Sequence, residues 1–485
     1  MKNMKKSKVQ FPEKGIPPEE VLSQIKRKKS SDAEWKNGKM FGFVYHPDDN
    51  ISRVIQEVHN LYFFENPINP TFFNSIIHFE NETVSMVSDL LNGDKQVVGN
   101  VTSGGTESIF LAVKVARDRA RKEHPEISKP EIIVPASAHP AFFKAAHFLD
   151  VSPVALQLRD DLRVDISLLP TTITKNTILI VGSAPSYPHG VVDPIEEMGR
   201  IAKENDILFH VDACLGGFML PFAERLGYAI PVFDFRVEGV TSISADIHKY
   251  GYGAKGASII LYRNAGLRRK QFFVHASWPG GLFGSPTLLG TKSGGPSVAA
   301  WTVLKLLGQN GYLEVTKRTL EATRQIQKGI NAINGLKVVS NPEMSVFAFT
   351  SEQNDIYRIG DCLGAKGWYL DRILSPNGLH LNVTWSNLDN IEAFLADLEI
   401  SVVEIRKSKL KKVITSYSSK LTNTLFKTSP EKAIEVIAST MVKQTNKGKR
   451  SNTATFYGIA ASHENRENIP ALILDFLDKM YRKKN

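Results

Sequence analysis

Only two cysteines, Cys214 and Cys362, occur in 485 residues. Two are too few for a disulfide framework, so stability must come from a packed core, and a reducing cytoplasm is the expected compartment. No apolar run is long enough to cross a bilayer, and the Lys-rich N-terminus carries no apolar signal core. These absences predict a soluble cytoplasmic protein and leave export or delivery to a host cell open. No metal site is expected. RNA- or DNA-binding motifs are missing too, as are internal repeats.

Positive charge is in excess, +10 in all, but it is unevenly placed. Residues 1–40 hold eleven Lys or Arg against five acids, and residues 401–450 hold twelve against three. The rest of the chain sums to about −5, so the candidate catalytic core is mildly acidic. The basic flanks read as solvated tails, with weak contact to an anionic membrane surface as the alternative. Nucleic acid is not an expected partner.

Apolar content of 42% and charge of 23% are ordinary for a folded protein, and the length suggests two or three domains. Residues 1–95 read as a helical segment and extended arm, with a helix at 19–29 and two more across 51–92. Asn66-Pro67-Ile68-Asn69-Pro70 separates those two, because its prolines cannot continue a helix. Residues 96–335 read as a large domain. Its strands are predicted at Glu131–Pro135, Thr177–Val181, Ile207–Val211, Val240–Ser244 and Ala257–Tyr262, and its helices at 106–122, 140–149 and 193–205. Such alternation predicts an α/β fold with a mostly parallel sheet and ligands at the carboxyl ends of its strands. A long helix over 297–335 leads to a smaller C-terminal α/β domain, 336–485. That domain includes a basic helix and mobile loop over 405–450, loosening at Gln444–Gly448, and a last helix at 466–482.

Two strand ends carry the chemistry. Ile207–Asp212 ends on a carboxylate, and Ser244-Ala245-Asp246-Ile247-His248-Lys249-Tyr250-Gly251 puts a His–Lys pair at the end of the next strand. Pyridoxal 5'-phosphate (PLP) needs such a pair: a carboxylate keeps its ring nitrogen protonated, and a lysine forms the resting Schiff base with its aldehyde. Upstream, Thr102-Ser103-Gly104-Gly105-Thr106-Glu107-Ser108 precedes a helix, where glycines and N-terminal amides can cradle a phosphate. His139 follows another strand and can lie flat on a ring. Tyr187, in Pro185-Ser186-Tyr187-Pro188, can exchange a proton with substrate, or is simply structural. Asp193 before Pro194 reads as a helix N-cap. Lys255, in a glycine-rich turn, can meet an anion and competes with Lys249 for the Schiff-base role. Lys249 is preferred because it ends the strand beside His248.

Together these segments resemble the sphingosine-1-phosphate lyases, fold-type-I PLP enzymes (aspartate aminotransferase-like) close to the group II decarboxylases. The likeness runs from Trp35–Tyr45 through His210–Phe218, Phe233–Gly256, Gln271–Phe273, Gly280-Gly281, Ser285–Thr287 and Asn310–Tyr312 to Phe456–Gly458. It implies catalytic roles for Lys249, Asp212, His139 and Tyr187, with Lys249 as the Schiff-base lysine, Asp212 on the pyridine nitrogen and His139 stacked on the ring. Gly104, Gly105, Thr106 and His248 would hold the cofactor phosphate. Tyr187 and Lys255 would line the substrate side, Lys255 near the substrate phosphate. A homodimer is implied as well, a loop from the second subunit completing the site, and Gly290–Gly295 with Thr291 lies where that loop belongs.

The implied reaction cleaves the C2–C3 bond of a phosphorylated sphingoid base in a retro-aldol sense, to a long-chain aldehyde and phosphoethanolamine. Tyr187, a histidine and a phosphate oxygen are all candidates for the base. The chain departs from the family at three places. Gly290-Thr291-Lys292 replaces a usual Gly-Ser-Arg, so a bidentate contact becomes a point charge. Ile68-Asn69-Pro70 replaces Leu-His-Pro, leaving Asn69 at an expected substrate position. Gly251-Tyr252-Gly253-Ala254-Lys255 replaces Gly-Tyr-Ala-Pro-Lys. Eukaryotic relatives carry an N-terminal membrane helix that is not seen here, which suggests a soluble, bacterial-type version. The rival readings are a PLP-dependent amino-acid decarboxylase and a non-catalytic interaction protein with the same fold.

Overall fold

The computed structural model describes residues 11–69, 71–407, 429–446, 454–461 and 468–482. Helices α1 (Pro18–Lys29), α2 (Asp49–Leu61) and α3 (Asn74–Leu90) come first. The Asp48 carboxylate starts α2 by accepting the amides of Asn50 and Ile51. As expected, residues 66–69 fall between α2 and α3, and Pro70 lies outside the described residues.

Alternating elements then build the main sheet: β1 (Val98–Thr102), α4 (Gly105–Glu123), β2 (Glu131–Pro135), α5 (Ala141–Leu149), β3 (Ser152–Leu156), α6 (Leu169–Thr172), β4 (Thr177–Ser183), α7 (Ile195–Glu204), β5 (Leu208–Asp212), α8 (Leu220–Arg225), β6 (Ser242–Ala245) and β7 (Ser258–Tyr262). Its seven strands run in the order β1-β7-β6-β5-β4-β2-β3. Strands β3, β2, β4, β5 and β6 pair in parallel, whereas β7 is antiparallel to both of its neighbours. All five expected strands are there. The two that were not expected, β1 (VGNVT) and β3 (SPVAL), carry Gly, Asn or Pro, which weakens a strand signal.

Both faces of the sheet are covered, so its central strands are buried from end to end. Alternation along each strand sorts the side chains. Ile132, Val134, Leu179 and Val181 join the cluster under α4 and α5, while Ile133, Ile180, Phe209 and Val211 join the cluster on the other face.

After α9 (Ala265–Arg269), an exposed hairpin of β8 (Phe273–Trp278) and β9 (Gly281–Ser285) precedes α10 (Gly295–Ala332). This long helix, expected over 297–335, is interrupted at Gly308, whose φ of 54° leaves the helical region. It leads to a second, antiparallel sheet of β10 (Lys337–Val338), β11 (Val346–Thr350), β12 (Asp371–Leu374) and β13 (Asn377–Asn382), ordered β10-β11-β13-β12. Helices α11 (Ile356–Ala365) and α12 (Ile391–Lys407) pack on it. The two sheets meet where Gly190 (φ 73°) turns so close to the Val346 carbonyl that any side chain would collide with it.

Three further helices are Pro430–Asn446, Ala454–Ala461 and Ile469–Tyr481, the last close to the expected 466–482. Gln444–Asn446, expected in a loop, are helical. No Gly or Pro interrupts the sequence before Gly448, so nothing local stops the helix sooner. Most of the basic segment 405–450, namely 408–428 and 447–450, lies outside the described residues, as do residues 1–10 of the basic N-terminus. Among the described residues no helix is long and apolar enough to cross a membrane, and no cluster of side chains suits a metal ion.

Candidate active site

A cavity of about 360 Å³ opens at the carboxyl ends of the parallel strands. Gly104, Gly105, Thr106, His139, Tyr187, Asp212, His248 and Lys249 all line it. Each lies at or just beyond a strand end: β1 leads into Ser103–Thr106, β2 into His139, β4 into Tyr187, β5 ends on Asp212 and β6 leads into His248-Lys249.

Lys249 is held by a residue to which the sequence analysis assigned no role. Its Nζ lies 2.9 Å from Oδ2 of Asp246, one helical turn back in a buried bend. Burial alone would drive the Lys249 ammonium down, but the Asp246 carboxylate overrides it and keeps the ammonium above its usual range. Burial would likewise raise Asp246, and Lys249 with His248 instead holds it below the ordinary carboxylate value. The contact with Asp246 keeps Lys249 protonated, whereas an amine has to be neutral to act as a nucleophile.

Asp212 is fixed by its neighbours in the ladder. Its Oδ1 accepts the Cys214 amide at 3.1 Å and the Ser244 hydroxyl at 3.2 Å. His210 bonds Ser242 through Nδ1 and Ser244 through Nε2. Burial pushes His210 down to about 4, so this chain of contacts is uncharged up to the aspartate. His139 accepts the Ala141 amide on Nδ1 at 3.2 Å, which leaves the proton of the neutral ring on Nε2. Burial also lowers its pKa, against the pull of Asp212.

The turn before α4 has the form of an anion cradle. A helix's first amides have no acceptor within it, and Gly104, Gly105 and Thr106, where α4 begins, line the cavity. Gly105 has to be glycine, because a Cβ would sit 2.8 Å from both Asp246 oxygens and 2.9 Å from the Cys214 sulfur. Opposite, His248 has a buried Nδ1 with no partner among the described residues. Burial lowers this imidazole to about 4, leaving a neutral ring that can donate or accept one bond. A carboxylate, a lysine, an uncharged ring and a phosphate cradle in one cavity fit PLP.

Glu107, quoted in the motif without a role, organises this cradle from behind. Its Oε2 accepts the Ser103 amide at 2.6 Å and the Ser103 hydroxyl at 2.7 Å. Its Oε1 accepts the amides of Leu288 at 2.7 Å and Leu289 at 3.3 Å. One buried carboxylate thus ties the phosphate turn to the loop that carries Thr291.

Tyr187 donates its hydroxyl to Asp371 on β12 at 2.6 Å. Lys255 does not line the cavity. Its Nζ donates to the His248 carbonyl at 3.1 Å and lies 5.0 Å from the centre of the Tyr45 ring. Burial, helped by the Lys249 charge, lowers Lys255 to about 8. Asn69 and Thr291 are not in the cavity either. Both are exposed, and Ile68 and Gly290 beside them lie within contact of each other, so the two belong to one surface patch. Lys292 is drawn inward to Glu80 (3.1 Å) and the Val101 carbonyl (3.2 Å). Asp193 is not a helix cap: its buried carboxylate accepts the Ser183 amide at 2.9 Å and the Val164 amide at 3.1 Å, and Pro194 precedes α7. Those amides lie at the end of β4 and in the loop before α6, so long-range packing outcompetes the local cap.

Replacing Glu107 by Ala leaves buried donors unpaired. The Glu107→Ala protein is expected to lose about 2 kcal/mol of unfolding free energy, read by urea denaturation. Hydrogen exchange at the Leu288 and Leu289 amides should quicken together with that at Ser103.

Residues 3–352 match the pyridoxal-dependent decarboxylase conserved domain. A sphingosine-1-phosphate lyase of Dictyostelium discoideum is 39% identical over 478 residues, covering 97% of this chain and 82% of that protein. The structure of the Burkholderia pseudomallei sphingosine-1-phosphate lyase superposes with a TM-score of 0.79 at 37% identity, over 86% of this chain and 97% of that one. The Lactobacillus brevis glutamate decarboxylase shares the fold, with a TM-score of 0.72 at 18% identity over 82% of this chain and 95% of that one. This chain is a PLP-dependent lyase of fold type I and belongs to the sphingosine-1-phosphate lyase family.

Proposed function

We propose that this chain cleaves phosphorylated sphingoid bases, sphingosine 1-phosphate among them, between C2 and C3. The products are a long-chain aldehyde and phosphoethanolamine. One observation carries the reading: Lys249, Asp212, His139 and the α4 N-terminus share a single cavity in a chain that resembles lyases of this specificity along nearly its whole length.

In this reading Asp212 would pair with the cofactor's ring nitrogen, His139 would pack against the ring, and Gly104, Gly105, Thr106 and His248 would hold its phosphate. Lys249 would be the lysine that carries the cofactor. Bound there, PLP supplies the electron-accepting ring that makes cleavage beside the amine-bearing carbon feasible. The Ser244–Asp212 contact holds the carboxylate in place, and Tyr187 faces the reacting carbons. Lys255 meets the substrate phosphate at the cavity's edge.

Purified protein is expected to bind PLP with visible absorbance and to release aldehyde from phosphorylated sphingoid bases, and Lys249→Ala should lose both. Carbon dioxide released from amino acids, with no aldehyde from the lipid, would replace this reading with decarboxylation.

Lys255 gives the reaction a pH dependence with a definite sign. Below about 8 its ammonium is charged and pairs with the substrate phosphate; above that value it is neutral. The KM for phosphorylated substrate is therefore expected to rise by about tenfold from pH 7 to pH 9, kcat changing less. Lys255→Gln should raise KM at pH 7 and flatten this limb.

We further propose a cytoplasmic homodimer whose subunits complete each other's sites. Each would comprise an arm (1–95), a cofactor domain (96–335) and a smaller domain (336–485). Cys214 and Cys362 are not joined in a disulfide, which suits a reducing compartment. The hairpin β8–β9 exposes Val274 (72%) and Leu282 (87%), and Phe64 (90%) and Phe72 (78%) lie in the α2–α3 connection that carries Asn69. A partner covering this apolar surface would receive Asn69 and Thr291 in its own cavity. Co-expressing a Lys249→Ala chain with a Thr291→Asp chain tests this. Mixed dimers would keep one intact site, giving about a quarter of wild-type activity from two nearly inactive chains. Activity no higher than that of either variant alone would place Thr291 in its own subunit's site.

A further inference from the structure

The base that takes the proton from the substrate's C3 hydroxyl was left open among three kinds of group. The structure narrows the choice through a residue outside the cavity. Tyr187 lines the cavity beside Lys249, and its hydroxyl donates to Oδ2 of Asp371 at 2.6 Å. The other oxygen of Asp371 accepts the Tyr369 hydroxyl at 2.9 Å. Asp371 lies directly across the ladder from His380, whose Nε2 donates to the Tyr187 carbonyl at 2.7 Å. The rings of His380 and Tyr187 pack together with centroids 4.4 Å apart and planes tilted by 35°. Burial lowers His380 to about 4, so it acts as a neutral donor and adds no charge. The second sheet thus holds Tyr187 at both its backbone and its hydroxyl.

This arrangement decides which way the Tyr187 proton points. It is committed to the carboxylate, so the phenol oxygen offers the cavity a lone pair and accepts from whatever hydroxyl lies there. A lone tyrosine would have to become phenolate to act as a base. Burial and the Asp371 charge together push that form out of reach at neutral pH. A carboxylate behind the phenol removes the obstacle, because the tyrosine can pass one proton on as it receives another.

We propose that Asp371 is a positioning residue that works through Tyr187 as the end of a two-step proton relay. As the C2–C3 bond breaks, its electron pair stays with C2, the carbon bearing the amine. The C3–O bond becomes a carbonyl. The C3 hydroxyl proton moves to the Tyr187 oxygen, and the Tyr187 proton moves to Oδ2 of Asp371. Tyr187 ends neutral, and the half-buried Asp371 then returns its proton to solvent. The relay rests on the lyase reading above and adds the destination of the proton.

The test compares two reactions of the PLP-loaded enzyme. Cleavage of a phosphorylated sphingoid base requires the hydroxyl proton to leave. Exchange of the amine-bearing carbon's hydrogen in phosphoethanolamine with D2O, followed by NMR, breaks a C–H bond and involves no hydroxyl. Asp371→Asn is expected to lower kcat for cleavage by about 100-fold, with KM within about twofold and exchange within about threefold of wild type. Its melting temperature and PLP absorbance should be unchanged. Tyr187→Phe should show the same split, and the double variant should be no slower than Tyr187→Phe alone, because the two residues act as one unit. Tyr369→Phe keeps the Tyr187–Asp371 bond and should retain cleavage. Equal loss of cleavage and exchange in Asp371→Asn, or cleavage within about threefold of wild type, would overturn the relay. A wild-type enzyme that exchanges phosphoethanolamine but releases no aldehyde would overturn the functional reading itself, and the relay with it.

Discussion

Parallel pairing of β4, β5 and β6 sets Ser183, Asp212 and Ser244 in one row across the sheet. A parallel strand cannot turn straight back into its neighbour, so each must leave the sheet at the same edge and cross over a face. The residues after those three positions are therefore gathered on one rim. They are Tyr187 after β4, Cys214 after β5, and Asp246 to Lys249 after β6. On the same rim α4 begins, and the first amides of a helix have no acceptor within it. The cavity is the geometric consequence of that register, and each chemical group in it inherits its position from a backbone ladder.

That position is costly for charge. A carboxylate out of water loses several kcal/mol of hydration unless its oxygens are matched by donors. The rim solves this in three ways. Asp246 is matched at Oδ2 by the Lys249 ammonium at 2.9 Å, while its buried Oδ1 has no hydrogen-bond partner among the described residues. Asp212 is matched by an amide and a hydroxyl, with neutral His210 behind them. Glu107 is matched by three amides and a hydroxyl from two separate loops. Only the first pairing joins two ionised side chains, so a proton transfer can undo it.

The second sheet is part of the site. Gly190 lets the loop after β4 pack directly on the Val346 carbonyl, bringing Tyr187 under β12 and β13. Movement of one sheet against the other would change what the Tyr187 hydroxyl faces, whereas Asp212 and Lys249 sit wholly on the first sheet. Asp212 is thus placed by the parallel ladder, and the Tyr187 hydroxyl by long-range packing.

Much of this was legible in the chain itself. Periodicity located five of the seven main strands, and the strand-end positions of Asp212, His139, Tyr187 and Lys249, with the Gly104–Thr106 turn, followed from local pattern. Those features depend on neighbours a few residues apart, which a sequence displays directly. What it could not display were partners far apart in the chain. Asp371 lies 184 residues from Tyr187, and Leu288 lies 181 from Glu107, and no local signal links either pair. Asn69 and Thr291 could be named from motif but not placed, because contact between their segments depends on how α2, α3 and α10 pack. Even Asp193, which reads locally as a cap, is claimed by the Val164 and Ser183 amides. The sequence by itself thus determined the fold class and the cofactor, and it named side chains that the fold gathers in one cavity. Only the tertiary structure decided which carboxylate holds each of those residues and where a proton can go, since hydrogen-bond partners are chosen by proximity in space.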